Sequence, residues 1–286
     1  MATIPGAVTL LSRATGTPNV LRLVRALADA GMTPTVTAPE QAAARWAGVL
    51  PVDVVALARL PSGTPRAVVD ALPRIDDRGR TAPWINGPDA LLATHHKPTA
   101  LARLVACGVP VPETQIVERD DPDEPLDLPG GRFVVKPPTG LAGRGVVVGL
   151  DLQTATARAR AYAELCGAAL VQRLRGDGID HRVLLVDGEP VASMRRTPGS
   201  GDARGSTLYG AHATAWCPDD ETVALARRAA SALGLDIAGV DLLLDDDGPC
   251  VLEVNACPGL TAIEAATGAD VAGAIAAACL RRSVGV

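Results

Sequence analysis

Two carboxylates and an amide near the carboxyl end of the chain have the chemistry of a divalent-cation site. They are Asp241, Glu253 and Asn255. The two acids lie on two apolar runs, residues 240–244 and 250–254, that predict a β-hairpin, and the amide directly follows the second run. Carboxylates held close together repel one another unless a cation lies between them. Oxygen-only ligands suit Mg²⁺ or Mn²⁺, and Mg²⁺ usually accompanies nucleotide phosphates. For this stretch taken alone, a hairpin whose acids only face water remains an alternative.

The pairing of the predicted hairpin decides whether these side chains meet. We expect a three-residue loop at 246–248, which sets Leu243 opposite Val251. The same register sets Asp241 opposite Glu253, and directly opposed residues of an antiparallel pair point to the same face. The amide lies two residues beyond the glutamate and therefore joins that face.

A second stretch combines a lysine with a glycine-rich loop. A predicted strand at 132–136 ends in Lys136, and the loop that follows contains Gly140, Gly143 and Gly145 before an apolar return strand. Such a loop can fold its backbone N–H groups over phosphates. It is not a Walker A loop, because no Gly-Lys-Ser/Thr follows and no helix opens there. Taken alone, the stretch fits an ordinary hairpin turn equally well.

Composition limits the classes of protein to which the chain can belong. The 286 residues are 48% hydrophobic, which is enough for a large buried core, and the net charge is -5 without any block of Lys or Arg. Nucleic-acid binding is therefore disfavoured. We find no signal-peptide pattern and no apolar span of about 18 residues, so we expect a cytoplasmic protein that does not enter a membrane. The 6 cysteines show no Cys-x-x-Cys spacing, which predicts reduced core thiols.

The first 85 residues alternate predicted strands and helices. Strands at 7–11, 34–38 and 53–58, with a helix at 19–30, predict a small parallel sheet. The first turn lacks G-x-G-x-x-G, so the lobe is Rossmann-like without a dinucleotide fingerprint. A segment rich in Pro, Gly and charge follows, and it predicts a domain boundary near residue 85.

The rest of the chain reads as further hairpins and helices. We expect a hairpin of residues 180–186 and 190–195 that turns at Asp187 and Gly188. A Gly, Ser and Arg-rich loop at 197–210 is long enough to bind a substrate.

The order of these motifs resembles the ATP-grasp superfamily. The matching series is Lys97, the strand 133–136 with its glycine loop, Gln172, Asp180 with Arg182, Asp241, and the run 253–259. Within that superfamily the sequence is most similar to the RimK-type carboxylate–amine ligases, over about residues 84–282. The resemblance implies an ATP-grasp fold of α/β and α+β type behind an N-terminal Rossmann-like lobe.

The resemblance also implies a division into domains. We expect a pre-ATP-grasp α/β domain at 1–85, a central ATP-grasp lobe with the glycine-rich lid loop at 86–168, and a C-terminal lobe with the metal site at 169–286. ATP would lie between the two ATP-grasp lobes. The implied nucleotide-binding residues are Lys97, Lys136, Gly140, Gly143, Gly145, Gln172 and Asp180.

The remaining implied roles concern charge. Asp241, Glu253 and Asn255 would hold Mg²⁺ or Mn²⁺. Arg182 and Arg204 would stabilise the transferred phosphoryl group and an acyl phosphate, since a guanidinium offers paired donors to oxyanions.

The implied reaction joins a carboxylate to an amine. In such ligases the carboxylate attacks the γ-phosphate of ATP to give an acyl phosphate, and the amine then displaces phosphate to leave an amide. The implied partners are a carboxylate acceptor, whether small molecule, peptide or protein tail, and an amino acid such as glutamate. A homo-oligomer is compatible with the resemblance. Two alternatives stay open. One is a kinase on the same scaffold, and the other is an ATP-binding module without catalysis, which the departure of residues 204–212 from the family's pattern motivates.

Overall fold

The computed structural model describes residues 6–51, 53–61, 63–120, 125–128, 130–140, 143–199 and 211–284. The strands are β1 (Ala7–Leu11), β2 (Thr33–Thr37), β3 (Val49–Leu50), β4 (Val54–Ala58), β5 (Ile75–Asp76), β6 (Trp84–Ile85), β7 (Thr114–Glu118), β8 (Phe133–Lys136), β9 (Val147–Leu150), β10 (Ala168–Arg173), β11 (Asp180–Val186), β12 (Glu189–Thr197), β13 (His212–Ala215), β14 (Ile237–Leu243) and β15 (Cys250–Asn255). The helices are α1 (Pro18–Asp29), α2 (Pro39–Trp46), α3 (Arg66–Asp70), α4 (Pro88–His95), α5 (Lys97–Ala106), α6 (Leu152–Cys166), α7 (Asp220–Ala232), α8 (Thr261–Thr267) and α9 (Val271–Val284).

The first sheet is parallel, as the alternation of strands and helices predicts. Its order is β2-β1-β4-β6, and each of its pairings is parallel. Helix α9, from the far end of the chain, packs against α1 and β4. Val8, Leu23 and Ile275 are fully buried in the core that these elements share. The prediction of a parallel first sheet is confirmed, and the last helix completes its core.

The second sheet carries the glycine-rich loop between two of its strands. Its order is β7-β10-β8-β9, with antiparallel pairing throughout. Helix α6 covers it with Ala155, Ala159 and Ala163, which recur every fourth residue and are all fully buried. They pack against Phe133 and Val171. Small side chains on this stripe allow the helix to lie close to the sheet.

The third sheet holds the predicted metal-site hairpin. Its order is β13-β12-β11-β14-β15, again antiparallel. The hairpin β11–β12 turns at Asp187 and Gly188, whose φ angles of 50° and 77° are those of a tight primed turn, as predicted. The domain boundary expected at 168/169 stays a prediction; it would divide β10, whose hydrogen bonds join that strand to β7 and β8. The second and third sheets therefore divide after Arg173.

Asn86 joins the first sheet to the third. Its side chain is fully buried, and its amide nitrogen donates to the carbonyls of Ile237 and Ala256, at 2.7 Å each. The amide oxygen accepts the backbone N–H groups of Asp236 and Ile237 at 2.8 and 3.0 Å. Asparagine is one of the few residues that tolerate the φ of 54° found here. Because both amide atoms are satisfied, Asn86 holds the end of the first sheet firmly against the third sheet, while the domain boundary near residue 85 stays a prediction.

The cysteines differ from the predicted core thiols at several positions. All 6 are free. Cys107, Cys166 and Cys217 are exposed, because the first two close helices at the surface and the third lies in a surface loop. Cys250 and Cys279 are buried, and burial raises the pKa of their thiols to about 11 and about 12. The prediction is therefore wrong for the three exposed thiols.

Among the described helices, none is by itself long and apolar enough to cross a membrane, while the bent pair α8 and α9 would meet that test by length and composition only.

Candidate active site

The β14–β15 hairpin brings the predicted metal ligands together. Asp241 pairs with Glu253 as predicted, and Gly239 pairs with Asn255. The predicted pairing of Leu243 with Val251 is wrong. Leu243 pairs with Cys250 instead, because β14 ends earlier and the loop is longer than the three residues we expected.

A β-bulge restores the predicted strand register at Asp241 and Glu253. The pairing shifts by one residue just after Asp241, so that Leu252 is the extra residue on β15. The shift restores the opposition of Asp241 and Glu253. The prediction that these two acids share a face is therefore confirmed. The register predicted between the acids and the turn is wrong.

A glycine lets the neighbouring strand and loop come close to this hairpin. Gly239 lies under Pro258, and a Cβ atom at this position would approach Pro258 Cβ at 2.8 Å and Arg182 Nε at 3.6 Å. The first distance is shorter than real Cβ contacts, so a larger residue would push the 258 loop away from the hairpin.

Asp241 lies in a buried cluster of four charged side chains. Its two oxygens accept hydrogen bonds from Nε and Nη2 of Arg182, at 2.7 Å each. Arg196 Nη2 lies 3.0 Å from the same carboxylate, and Arg196 Nε donates to Asp180. Asp180, Arg196 and Asp241 are 5%, 7% and 4% exposed. The cluster contains two arginines and two carboxylates, so its formal charges cancel.

The arginines decide the protonation state of Asp241. Burial favours its neutral form, but the positive charges of Arg182 and Arg196 outweigh burial and lower the pKa of this carboxyl below its usual value. For Asp180 the balance is reversed. Burial outweighs the attraction of Arg196 and raises the pKa of Asp180 to about 6. As the pH falls, Asp180 therefore takes up a proton before Asp241 does.

Lys97 lies between the glycine loop and Glu253. It is the first residue of α5, and its backbone N–H donates to the carbonyl of Pro138 at 2.8 Å. Its ammonium lies 3.4 Å from Glu253 Oε1 and 3.4 Å from the carbonyl oxygen of Gly140. The helix start and the loop are therefore linked by hydrogen bonds, and the lysine charge faces the predicted metal site.

Lys136 supplies a second positive charge nearby. It ends β8 and is 9% exposed. Burial is the main cause that lowers the pKa of this ammonium, to about 8, with the charge of Lys97 acting in the same direction and that of Glu253 opposing it. Two lysines and one glutamate thus influence one another within a single cleft.

The cleft itself has an apolar wall and a polar end. Lys97, Lys136, Gln172 and Glu253 all line it. The apolar lining consists of Ala100, Leu101, Leu104, Val111, Leu170, Val251, Leu252 and Val254. Gln172 is 4% exposed; its amide nitrogen lies 2.9 Å from Thr114 Oγ1, whereas its Oε1 has no partner in the part of the chain that the structure describes. A buried acceptor beside an apolar wall suits a flat ring that carries a donor.

The donor set on the hairpin fits a hard divalent cation. It consists of two carboxylates and the amide of Asn255, which lies 3.4 Å from Asp241 Oδ2 through its nitrogen. Rotation of that amide would present its carbonyl oxygen. Within the described residues no group of three His, Cys, Asp or Glu side chains is placed for a metal, which leaves this mixed oxygen set as the candidate. Oxygen-only donors favour Mg²⁺ or Mn²⁺ over softer ions.

The other predicted site residues are three glycines of the loop, one arginine outside the described ranges, and Asp180. Gly140, Gly143 and Gly145 have φ angles of 152°, 76° and 76°, which a side chain would not allow without strain. Arg204 lies outside the described residues. Asp180 contacts Arg196 in the buried cluster and is not among the residues that line the cleft, so its role in nucleotide binding stays a prediction.

Sequence reasoning missed Arg196. This arginine contacts both carboxylates of the cluster, although the predicted strand ends at residue 195 and gives Arg196 no role. Counting from the turn pairs Asp180 with Arg195, so the sequence offered no direct signal for Arg196. His181, between Asp180 and Arg182, packs instead on Trp216 with ring centres 4.5 Å apart, as expected for a residue on the opposite face.

Known structures and sequences identify the fold and then the family. The chain is similar over 98% of its length to an ATP-grasp ligase, PsnB, solved with a phosphomimetic variant of a minimal precursor, Mg and ADP, with a TM-score of 0.71 and 20% identity. The fold is therefore that of the ATP-grasp proteins, as predicted. The model of the RimK-like ATP-grasp domain matches residues 94–279, and the chain belongs to this family.

Curated relatives agree with that assignment. The chain is 38% identical over 193 residues to a probable alpha-L-glutamate ligase of Xylella fastidiosa, covering 65% of this chain and 64% of the relative. It is 36% identical over 193 residues to a ribosomal protein bS6–L-glutamate ligase of Escherichia fergusonii, covering 66% and 64%. The similarity thus spans less than two thirds of each relative.

Replacing Arg196 should expose the cost of the buried charges. We expect Arg196→Met to lower the free energy of unfolding by about 3–5 kcal/mol, because it leaves Asp180 and part of the charge of Asp241 buried without compensation. Urea denaturation measures the change. The matched control is Arg195→Met, one residue away on the exposed face of β12, which should stay within about 0.5 kcal/mol of the parent. A loss below about 1 kcal/mol for Arg196→Met would contradict the cluster's importance.

Proposed function

We propose that the protein is a Mg-ATP-dependent carboxylate–amine ligase that forms an amide through an acyl phosphate. The observation that carries the proposal is the convergence of Lys97, Lys136 and Glu253 on one cleft beside the oxygen donors of the hairpin. Transfer of a phosphoryl group needs little covalent help from a protein. It needs positioned charges, and these residues supply them.

ATP would bind in the cleft with its phosphates toward the lysines. The buried Oε1 of Gln172 would accept a hydrogen bond from the amino group of adenine, while the apolar wall would cover the ring. Lys97 and Lys136 would neutralise the phosphate oxygens. The backbone N–H groups of the glycine loop would close over them, and the hydrogen bond from Lys97 N to Pro138 would couple that closure to α5.

The metal ion would be held by Glu253, Asp241 and Asn255. When bound, it would neutralise the phosphates and orient the transferred group. Because Arg182 and Arg196 already compensate Asp241, the free negative charge of the donor set comes mainly from Glu253. Glu253 pairs only with Lys97 among the described residues, and its side chain is 39% exposed.

Arg182 acts first as a residue that orients Asp241. Its Nε and Nη2 are engaged by that carboxylate. A direct contact between Arg182 and the acyl phosphate would therefore use Nη1. Stabilisation of the same intermediate by Arg204 stays a part of the proposal that rests on the family resemblance alone.

The acceptor is proposed to be the carboxylate of a protein or peptide, and the amine an amino acid such as glutamate. Support comes from the relatives, whose names specify glutamate ligation and a ribosomal protein acceptor. The structural neighbour was solved with a peptide precursor. In the overall reaction, carboxylate, amine and ATP give amide, ADP and phosphate.

Ligation is tested by supplying the two substrates separately and together. We expect the purified chain, with Mg-ATP, L-glutamate and a pool of peptides with free carboxylates, to release ADP and phosphate and to add a glutamyl residue to at least one peptide. With hydroxylamine in place of glutamate, the acyl phosphate should be trapped as a hydroxamate. Glu253→Gln should lower turnover by at least about 100-fold, because it removes the free acid of the donor set.

The controls separate the three functions. Glu221→Gln changes an exposed acid of α7 and should leave turnover unchanged. A stable phosphoester that hydroxylamine does not trap would contradict the ligase and identify a kinase. ATP binding without turnover for any carboxylate and amine pair would point to a non-catalytic module.

The lowered pKa of Lys136 predicts how ATP affinity depends on pH. The ammonium binds phosphate only when charged, and with a pKa of about 8 it loses its proton as the pH rises through that value. ATP affinity should therefore fall by about tenfold between pH 7.5 and 9. Lys136→Arg keeps its charge over this range and should make the affinity nearly independent of pH. Fluorescent-nucleotide titration measures both, and equal pH dependence in the two proteins would contradict the assignment.

A further inference from the structure

A second pocket lies where the first sheet meets the end of β15. We call it the junction pocket; it is lined by Leu60, Pro61 and Thr64 after β4, by residues of α4, and by Glu253, Asn255 and Cys257. Glu253 lines the nucleotide cleft as well. A molecule in the junction pocket would therefore lie next to the proposed reaction centre.

Arg59 directly precedes the lining residue Leu60 and has no counter-ion among the described residues. Arg59 follows β4 directly, at the carboxyl end of a parallel strand, where open α/β sheets bind ligands. Its side chain is 5% exposed, and its Nη2 donates to the carbonyl of Pro258 at 2.6 Å. Its Nη1 is buried and has no hydrogen-bond partner among the described residues, and no described carboxylate forms an ion pair with it.

A buried hydroxyl in the pocket wall likewise has no hydrogen-bond partner among the described residues. Thr64 is 1% exposed, and its Oγ1 finds no partner within the ranges that the structure describes. Buried charges and hydroxyls without partners are costly, so we expect them to gain a partner when a ligand binds. Thr64 lines the pocket and Arg59 directly precedes the lining residue Leu60, so both groups lie on the segment that a ligand in the pocket would contact.

We propose that Arg59 and Thr64 form a subsite for a carboxylate group of one of the ligation substrates. A carboxylate fits because its two oxygens can accept from a guanidinium and a hydroxyl together, and because it cancels the buried charge. The inference rests on the proposed ligase function, in which the acceptor and the amino acid both carry carboxylates. The first lobe would thereby recognise a substrate that the ATP-grasp lobes activate or join.

If Arg59 has only a structural role, we expect a different effect of mutations on substrate binding. Arg59 holds the carbonyl of Pro258, and Asn19 holds the same loop by accepting the N–H groups of Leu260 and Thr261 at 2.9 and 3.1 Å. If Arg59 only fixed this loop, loss of Asn19 would have a similar effect on substrate binding. Asn19→Ala is therefore the matched control.

The test measures carboxylate binding by calorimetry without turnover, so that it does not depend on ligase activity. The probes are L-glutamate, which represents the amino acid, and N-acetyl-L-glutamate, which has no free amine and represents the end of an acceptor. Each is compared with its carboxylate-free diamide. We expect at least one probe to bind the full chain while its diamide does not, and the probe that binds identifies the source of the carboxylate.

The variants give the expected pattern. Arg59→Gln should weaken binding of that probe by about tenfold or more, and Thr64→Val by about threefold to tenfold. Asn19→Ala should change it by less than about twofold. Thr64→Val is nearly isosteric and removes an unsatisfied hydroxyl, so it should also raise the Tm by about 2 °C or more, whereas a structural hydroxyl would lower it on removal.

Several results would overturn the subsite. These are a parent protein that binds neither probe, affinity that survives both Arg59→Gln and Thr64→Val, or an equal loss in Asn19→Ala. If Arg59→Gln does not fold, Thr64→Val decides the question alone. Ligation that continues with unchanged KM for both substrates in Thr64→Val and Arg59→Gln would reject the subsite and leave the ligase intact. If carboxylate binding requires Arg59 but the protein ligates no substrates, the subsite is supported and the proposed ligase function is rejected.

Discussion

The structure depends on how the buried carboxylate of Asp241 is compensated. An ionised acid that is 4% exposed is costly unless positive charges and hydrogen bonds surround it. Arg182 on β11 and Arg196 on β12 meet this need, and they can do so because both strands lie in the same sheet as β14. The strand order of the third sheet therefore determines that both arginines reach Asp241 and keep its carboxylate charged.

This compensation makes the two hairpin acids unequal. Asp241 is held by two guanidinium groups, whereas the side chain of Glu253 is 39% exposed and lies 3.4 Å from a single lysine. The pair therefore has one acid fixed in place and one free to meet an incoming cation. Two acids with equal freedom on one face would repel each other and disorder the hairpin, so the asymmetry gives the site a defined shape before any ligand arrives.

The first lobe contributes to the site although its sequence carries no recognisable motif. Asn86 binds the carbonyl of Ala256, Arg59 that of Pro258, and Asn19 the N–H groups that follow. These contacts fix the chain immediately after Asn255. The lobe therefore holds the loop that follows β15, and its removal would release that loop.

Counting residues from the predicted turns placed the two hairpin acids correctly and missed Arg196. Asp241 and Glu253 were placed together because an error in the loop length and a bulge cancel each other. For Arg196 they do not cancel. Counting back from the turn at Asp187 would pair Asp180 with Arg195, and a bulge between Leu184 and Leu185 moves the partner to Arg196.

Bulges arise from packing across the sheet, which the local sequence does not encode. The exposure of Cys107, Cys166 and Cys217 also depends on tertiary packing, since a helix end or a loop can face either the core or the solvent. What the sequence predicts well is therefore the type and order of the elements, and what it predicts poorly is the single-residue register on which a charged cluster depends.

Binding of Mn²⁺ with ADP, followed by electron paramagnetic resonance, tests most directly whether the hairpin is a metal site. The account predicts that the protein binds Mn²⁺ in the presence of ADP and that Glu253→Gln weakens this binding by at least about tenfold. Asp246→Asn, which removes an exposed acid from the turn of the same hairpin, should leave it unchanged. Equal Mn²⁺ affinity in the parent and Glu253→Gln proteins, or an equal loss in Asp246→Asn, would contradict the account.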